Sequence, residues 1–370
     1  MKLGMFMMPV HDPTRDFHTV LNEDVETAIH CDRVGFDEFW IGEHYTSRSE
    51  PVSDPFIFLA NLIARTQRIK LGTAVINLPQ RHPALTAAHA ALLDHLSEGR
   101  LLLGISPGGL PSDFELFEVT DADQRKEMAD EAIDAILKLW TSEAPFEING
   151  KYWRIALKET AHPDLGVDSL PRPYQKPHPP IVYAVMSPNS SSVRNAVAHG
   201  WGFFSANFIP TSNVRSHWEV YLDACGKAGR APDPNDWRVA RSIFVGKDDA
   251  EAKDYMLDPE GPFAAYYNYL ATLIKRYGFQ SIMKRDLDMP DDEVTPEYAL
   301  REFCIAGDPD SVFEQVMAFR EDVGDFGTIV MTSTDFLNEK HGARLLDSMT
   351  LMARGVMPKL RAAVDARSAA

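Results

Sequence analysis

The sequence predicts an α/β fold, a TIM-type (β/α)8 barrel with insertions, and three observations lead to this prediction. Short apolar runs alternate along the 370 residues with segments whose apolar residues recur at helical spacing. The runs are mostly hydrophobic, without regular alternation of polar residues, which is typical of parallel strands that are buried on both faces. Polar residues follow directly after the runs, at the position where barrel strands present their functional groups.

The first half of the chain supplies four pairs of strand and helix. Its clearest strand is FDEFWIG, which ends at a glycine, and its clearest helix start is Asp54 followed by Pro55, a capping residue before a proline in the first turn. In order, the predicted elements are strand 2–8, helix 18–34, strand 36–42, helix 54–66, strand 69–76, helix 83–96, strand 100–106 and helix 121–140.

The second half supplies four further strands and two interruptions. The sequence PFEINGKYWRI alternates around Asn149 and Gly150, which predicts a β-hairpin insertion at about residues 141–180. Residues 248–303 mix polar, aromatic and proline residues, which predicts a lid-like, partly helical and mobile excursion. The other elements are strand 181–185, helix 190–199, strand 202–205, helix 212–228, strand 237–245, helix 308–323, strand 327–331 and helix 339–356. We therefore predict one domain, residues 1–370.

The bulk composition limits the partners and the location of the protein. A formal net charge of -17 argues against nucleic acid and anionic membranes, which both require a basic face. Cys31, Cys225 and Cys304 lie far apart without a CxxC spacing, which favours a reducing compartment and a packing role. The first apolar run reaches Pro9 too early for a signal peptide, and no run is long enough to span a bilayer. We expect a soluble cytoplasmic protein.

The residues directly after the predicted strands are the candidates for chemistry. A metal-dependent hydrolase would show histidines and a carboxylate at ligand spacing, and only a makeshift set of His11, Glu43 and His44 is available, so we predict no metal site. A Schiff-base aldolase would need a lysine at a strand end, where the sequence has none. The candidate groups are His11, Glu43, His44, Asn77, residues 106–109, residues 186–191, Asn207 and residues 332–335.

Two loops indicate a site for a phosphorylated cofactor. The sequence SPNSSS, residues 187–192, lies between a strand and a helix, where hydroxyls, backbone N–H groups and the helix dipole favour an anion. Gly108 and Gly109 after the neighbouring strand allow a close backbone approach because they lack a Cβ atom. An ordinary helix cap and an ordinary turn would explain the same residues equally well.

His44 and Glu43 form the candidate catalytic pair. An imidazole titrates near neutrality, and a carboxylate beside it can fix its tautomer and tune its pKa. A histidine after a strand is also often a hydrogen-bonded rim residue without a function. Glu43 can equally form a structural salt bridge with an arginine.

The quoted residues, taken together, resemble one family. FDEFWIGEHY, LGTAVINLPQRHPA, LLDHLSEGRLLLGISPGG, SPNSS and VMPKL, in this order and spacing, look like the bacterial-luciferase-like flavin-dependent monooxygenases. The resemblance extends over residues 2–360 and is strongest to the branch with the luciferase α chain and the limonene-type and diketocamphane-type monooxygenases.

This resemblance implies a two-component monooxygenase. The barrel would bind reduced FMN, supplied by a separate NAD(P)H-dependent flavin reductase, at the carboxyl ends of its strands. Oxygen would add at the flavin C4a carbon, and the C4a-peroxyflavin would oxygenate a small apolar organic substrate such as an aldehyde, a ketone or a terpene. A dry site is required, which gives residues 248–303 a reason to form a lid. Family precedent also implies a homodimer through helices near the N-terminal half. The apolar positions of residues 54–66 and 83–96 would permit it, although packing on the barrel would explain the same residues.

Single positions extend these implications. His44 matches the active-site histidine of the family, which stabilises or protonates the peroxyflavin. Ala74 and Val75 match a non-proline cis peptide beneath the flavin ring, and Ser106 stands where luciferase has a reactive cysteine. The complete set of predicted cofactor-binding residues is Ala74, Val75, Asn77, Ser106, Gly108, Gly109, Met186, Ser187, Ser190 and Ser191.

Pro107 departs from the pattern of the family, because luciferase places a phosphate-binding arginine at this position. Backbone groups, the serines of residues 187–191 or another arginine must then balance the phosphate charge, and Arg194 on the next helix is a candidate. Two other functions stay open at this point. One is an oxidoreductase that uses the deazaflavin F420 on the same barrel, and the other is a non-catalytic partner subunit similar to the luciferase β chain.

Overall fold

The computed structural model describes residues 1–368 and contains a closed parallel barrel. Its strands are β1 (Lys2–Met7), β2 (Glu38–Ile41), β3 (Lys70–Thr73), β4 (Ile76–Asn77), β5 (Leu101–Ser106), β6 (Phe146–Asn149), β7 (Arg154–Leu157), β8 (Ile181–Val185), β9 (Gly202–Ser205), β10 (Trp237–Val245), β11 (Cys304–Gly307) and β12 (Thr328–Thr332). The order β1, β2, β3, β5, β8, β9, β10, β12 returns to β1, so eight strands close the predicted barrel.

The helices alternate with the strands and cover the outside of the barrel. They are α1 (Phe17–Val34), α2 (Pro55–Ile63), α3 (Pro83–Leu96), α4 (Pro111–Leu116), α5 (Ala122–Leu139), α6 (Ser191–His199), α7 (Thr211–Ala228), α8 (Asp249–Leu257), α9 (Pro262–Arg276), α10 (Pro296–Phe303), α11 (Pro309–Val323), α12 (Glu339–Leu351) and α13 (Met357–Ser368). Asp54 caps α2 as predicted, accepting the N–H groups of Phe56 and Ile57. None of the helices within residues 1–368 combines the length and the apolar character that crossing a membrane requires.

Three elements differ from the sequence prediction. The strand predicted at residues 69–76 is divided into β3 and β4, because the chain turns at a cis peptide between Ala74 and Val75. The strand β11 was missed; it pairs with residues 242–245 of β10, beyond the point where β9 ends. The closing helix continues past Val356 into α13 through a π-helical turn.

The predicted hairpin is present, but its turn lies further along than Asn149 and Gly150. Strands β6 and β7 pair antiparallel, and Asn149 is still within the ladder opposite Arg154. The carboxylate of Glu131 on α5 accepts the backbone N–H groups of the three loop residues Lys151, Tyr152 and Trp153. These hydrogen bonds to a carboxylate far away in the sequence stabilise the longer loop more than Asn-Gly stabilises a two-residue turn.

The excursion of residues 248–303 is helical and has a hydrophobic cluster of its own. Helices α8, α9 and α10 surround buried aromatic side chains that include Tyr255, Phe263, Tyr267 and Phe303. The cluster also takes in Phe244 at the end of β10, which attaches the excursion to the barrel. The predicted partial helix is therefore confirmed.

Two further hydrophobic layers hold the barrel. The larger lies between strands and helices and contains Cys31 and Cys225, which confirms their packing role; all three cysteines are free. The smaller fills the inside of the barrel around Trp40 and Phe204.

A buried ion pair crosses the inside of the barrel. Arg238 on β10 donates from Nε and Nη2 to the two carboxylate oxygens of Glu38 on β2, both at 2.8 Å. Trp40 Nε1 donates to the same carboxylate at 3.0 Å. A bidentate pair with an extra donor satisfies most of the buried hydrogen-bonding groups, which is the condition for a stable buried ion pair.

We predict that Arg238→Met lowers the free energy of unfolding by about 3 to 5 kcal/mol, because it leaves the Glu38 carboxylate charged and unpaired inside the barrel. Urea unfolding of the purified protein measures this loss. The double variant Glu38→Leu with Arg238→Met removes both charges and should recover most of the stability. A loss below about 1 kcal/mol for the single variant would contradict a structural role for the pair.

Candidate active site

His44 lies at the carboxyl end of β2 and is held by a carboxylate that the sequence prediction missed. Its Nδ1 atom is 3.1 Å from Asp113 Oδ2, on the short helix α4 after β5. Asp113 also accepts the backbone N–H groups of Tyr45 and Thr46, at 3.2 and 2.9 Å. These donors fix the carboxylate, and the carboxylate in turn fixes the orientation of the imidazole.

The charges around His44 favour the imidazolium form. Burial lowers the pKa of His44, but the carboxylates of Glu50 and Asp113 outweigh burial and hold the pKa above its ordinary value. Burial raises the pKa of Asp113, while hydrogen bonds from His44 and Thr46 more than offset this and keep the pKa low. His44 can therefore carry a second proton at Nε2, the ring nitrogen opposite Asp113.

Glu43 is not the carboxylate that fixes the His44 ring, a role that Asp113 takes, although the charge of Glu43 also contributes to raising the pKa of His44. Its Oε1 accepts the backbone N–H of Asn77 at 2.6 Å, and its Oε2 lies 3.7 Å from Arg81 Nη1. The physical reason is that successive residues of an extended chain point to opposite sides, so Glu43 and His44 face different elements. The alternative interpretation, a structural contact with an arginine, agrees with this geometry. Burial raises the pKa of Glu43 to about 7, although Asn77 and Arg81 lower it.

Asn77, Ser106 and Gly108 form one hydrogen-bonded group, as expected for neighbouring strand ends. Ser106 Oγ donates to Asn77 Oδ1 at 3.2 Å and accepts the N–H of Gly108 at 2.9 Å. Gly108 has a φ of 101°, and a Cβ atom there would lie 2.8 Å from the Phe114 ring, so both the backbone and the space require glycine. Gly109 is exposed, with open space at its Cα.

Gln80 is a polar residue beside this group that the sequence prediction missed. Its side chain is buried, and neither its amide oxygen nor its amide nitrogen has a hydrogen-bond partner within residues 1–368. The amide nitrogen lies 3.5 Å from the place of a Cβ on Gly108. Because a buried amide without partners is costly, this side chain fits a site that a polar ligand completes.

The peptide between Ala74 and Val75 is cis, which confirms the conformation that the resemblance implied. It follows β3 directly, and the N–H of Ala74 still donates to the carbonyl of Ile41 on β2 at 2.7 Å. The cis peptide therefore lies at the same rim as His44.

The serine loop follows β8, as predicted. Ser190 caps α6 by accepting the N–H of Ser192, whereas the side chains of Ser187 and Ser191 are exposed. The carbonyl of Ser187 accepts a hydrogen bond from His217 Nε2 at 2.9 Å. Met186 is half-buried next to Ser187. The loop thus offers hydroxyls at the amino end of a helix, which suits an anion.

His217 on α7 holds this loop and was not predicted. Ser205 Oγ accepts from Trp237 Nε1 at 2.9 Å and lies 2.8 Å from His217 Nδ1. With Ser205 donating to Nδ1, the proton of His217 stays on Nε2 and faces Ser187. Burial lowers the pKa of His217 to about 4, so the imidazole is neutral at pH 7.

Two arginines are candidates to replace the arginine that is missing at Pro107. Arg194, the predicted candidate, is exposed and donates to the carbonyl of Asn189 at 3.2 Å. Arg125 on α5 was not predicted; its guanidinium lies 3.6 Å from the centre of the Phe114 ring, the same ring that packs against Gly108. Arg194 brings a positive charge to the serine loop, whereas the guanidinium of Arg125 donates to the carbonyls of Val119 and Thr120, at 2.9 and 2.7 Å.

His11, Glu43 and His44 do not converge on one point. His11 lies 2.9 Å from Asp335 and 3.4 Å from Asp24, and these carboxylates overcome the effect of burial and raise the pKa of His11 to about 9. The ligand atoms of His11, Glu23 and Asp335 lie within 4.8 Å of one another. The guanidinium of Arg15 binds both of those carboxylates, so an arginine already supplies the positive charge.

The chemical groups of these residues suit a flavin mononucleotide. Gln80 offers a buried amide without a partner in residues 1–368, Gly109 has open space where a side chain would stand, and the serine loop offers hydroxyls at a helix start. A barrel rim with these groups suits an anionic organic cofactor.

Comparison with known proteins identifies the family. The sequence profile described as luciferase-like monooxygenase matches residues 1–325, and the chain belongs to this family. 4-Hydroxyprotoasukamycin monooxygenase from Streptomyces nodosus subsp. asukaensis is 28% identical over 98% of this chain and 93% of its own length. Limonene 1,2-monooxygenase from Rhodococcus erythropolis is 29% identical over 96% of this chain and 85% of its own length.

A solved structure agrees with both fold and family. The oxygenating constituent of 3,6-diketocamphane monooxygenase from Pseudomonas putida, a type II Baeyer-Villiger monooxygenase in complex with FMN, superimposes with a TM-score of 0.86. It is 28% identical, with 97% of this chain and 98% of that chain covered. Relatives across nearly the whole length are flavin-dependent monooxygenases, and the chain is an enzyme of this kind.

We predict that Glu43 makes stability fall as the pH rises. Its folded pKa of about 7 lies above the ordinary value of 4.5, so between these pH values the folded protein retains a proton that the unfolded chain has lost. The wild type should therefore lose on the order of 3 kcal/mol relative to Glu43→Gln between pH 4.5 and pH 7, with little change above that range. Urea unfolding at a series of pH values measures the difference, and a difference independent of pH would contradict the raised pKa.

Proposed function

We propose that the protein is the oxygenase component of a two-component system, which uses reduced FMN and O2 to oxygenate a small apolar organic substrate. The observation that carries this proposal is His44, fixed by Asp113 at Nδ1 and placed on the same rim as the Ala74–Val75 cis peptide. A related barrel that is 28% identical holds FMN.

In this proposal reduced FMN supplies the reaction with dioxygen, and the protein supplies orientation, protons and dryness. His44 holds or moves a proton at Nε2, since Asp113 occupies Nδ1. Ala74 and Val75 would contact the flavin ring, and Asn77, Ser106 and Gln80 would supply polar groups beside it. Glu43 acts by fixing the backbone of Asn77 and, through its charge, by helping to raise the pKa of His44.

The phosphate of FMN is assigned to the two loops. Ser187, Ser190 and Ser191 with Met186 lie on one side, and Gly108 and Gly109 lie on the other. Arg194, which lies beside the serine loop, balances the phosphate charge in place of an arginine at Pro107.

Residues 248–303 act as the lid of the site in this proposal. Tyr266 on α9 and Asn207, which follows β9, are hydrogen-bonded at 3.1 Å, so the excursion contacts the rim. A separate NAD(P)H-dependent flavin reductase delivers the reduced FMN. We place both proteins in the cytoplasm, in line with three free cysteines.

The expected homodimer has a suitable surface on α2 and α3. Four apolar side chains are exposed there on neighbouring helices, and a paired copy would remove them from water. They are Ile57, Leu85, Leu92 and Leu96.

We predict that His44→Ala binds FMN as the wild type does and loses oxygenation by a factor of about 100, because the proton at Nε2 is gone. Product yield is measured with the same supply of reduced FMN, using limonene and a bicyclic diketone as probes. His162→Ala, at an exposed histidine, is the control. Unchanged product yield in His44→Ala would remove the role assigned to this residue.

Replacing Ser187 and Ser190 together by alanine should weaken FMN binding by about a hundredfold or more, since each hydroxyl bonded to a charged phosphate contributes about 1.5 to 3 kcal/mol. Fluorescence titration measures the dissociation constant. Riboflavin, which lacks the phosphate, should bind both proteins equally. An unaltered FMN dissociation constant would move the phosphate to another place.

Leu92→Glu should convert the dimer into a monomer, because a charge at the centre of the apolar surface cannot be buried without a partner. Light scattering after size-exclusion chromatography measures the mass. Leu165→Glu, at another exposed leucine, should leave the dimer intact. A wild-type protein that elutes as a monomer would contradict the dimer.

A further inference from the structure

Glu50 is a buried carboxylate that has no role in the proposal above. It lies in the loop after β2 and is 8% exposed. Its Oε2 is 3.9 Å from His44 Nε2, the ring nitrogen that Asp113 leaves free. This distance is too long for a hydrogen bond, so Glu50 is a charge partner of the imidazolium and not a fixed acceptor.

The same oxygen of Glu50 also faces the excursion. The hydroxyl of Tyr269, on α9, donates to Glu50 Oε2 at 3.3 Å. Ser47 Oγ lies 3.4 Å from this hydroxyl and accepts the N–H of Glu50 at 3.0 Å. One carboxylate oxygen therefore stands between His44 and the helix that covers the rim.

The two carboxylates beside His44 differ in how firmly they are held. Asp113 accepts from two backbone N–H groups and from the hydroxyl of Thr46 at 2.6 Å, so its position is fixed. The contacts of Glu50 with His44 and Tyr269 are both long, so a small movement of either partner changes how its charge is shared.

We propose that Glu50 is a positioning residue for His44. Tyr269 changes the strength of this effect, because its hydroxyl donates a hydrogen bond to the Glu50 oxygen that faces the Nε2 proton. When α9 packs against the rim, the Tyr269 hydroxyl donates to Glu50 and partly offsets its negative charge. Glu50 then holds the Nε2 proton of His44 less firmly. With α9 displaced, Glu50 holds the proton alone. This inference rests on the proposed function, in which His44 moves a proton at Nε2.

Other charged groups also face this pair. Asp113 on α4 faces His44 from the opposite side, and Glu43 on the same loop is turned towards Asn77 and Arg81. Asp24 on α1 lines a narrow crevice together with His44 and Glu50. The variants below leave these groups in place, so a change in the titration of His44 reports Glu50 and Tyr269.

The test is a nitrogen NMR titration of isotope-labelled histidines in the full chain without flavin, with the His44 signal assigned through His44→Asn. Glu50→Gln should lower the pKa of His44 by about 1, because an opposite charge within 4 to 6 Å typically shifts a pKa by about 1 to 3. Tyr269→Phe should raise the pKa, since it returns the whole charge of Glu50 to His44. Tyr267→Phe, on the same helix but bonded to Ser242, should leave it unchanged.

An unchanged His44 pKa in Glu50→Gln would overturn the role of Glu50. A Tyr269→Phe titration equal to that of Tyr267→Phe would overturn the role of the tyrosine. In the loaded enzyme, the pH profile of product formation should shift in the same direction as each titration. The titration needs no flavin, so its failure is separate from a failure of the proposed function, which loss of oxygenation in His44→Ala tests.

Discussion

Closure of the parallel barrel is the constraint on which the rest of the structure depends. Eight strands return to their starting point, so every strand ends at the same rim. Closure also puts Glu38 and Arg238, two hundred positions apart in the sequence, within 2.8 Å inside the barrel. Groups from β2, β3, β5 and β8 consequently meet at one place, and helices on the outside leave this rim free for chemistry.

At the rim, the balance of burial against charge decides the state of each ionisable group. His44 is a half-buried imidazole and His217 a fully buried one. Nearby carboxylates keep the pKa of His44 high, whereas His217 is hydrogen-bonded to neutral groups and is exposed to the charge of Arg241, so its pKa falls to about 4. One is therefore suited to proton transfer and the other to holding a loop. Burial alone, without these partners, would have made both of them neutral.

The sequence predicted those features that are local in the chain. Apolar runs, the cap at Asp54 and the serine loop before α6 all depend on neighbouring residues, and all are present. Asp113 and Gln80 were missed because their importance comes from contacts between strand ends that no short segment contains. Glu43 was assigned to His44 because the two are adjacent, although adjacent residues of an extended chain face opposite ways.

The most direct test of the account is the oxidation of reduced FMN in the presence of the protein. The purified protein is mixed with photoreduced FMN without oxygen, oxygen is admitted, and the return of oxidised-flavin absorbance is followed. Reduced FMN should bind to the protein, and its oxidation should be slower than that of free flavin. Oxidation at the rate of free flavin, with no binding of reduced FMN, would contradict it and direct attention to F420 or to a non-catalytic partner subunit.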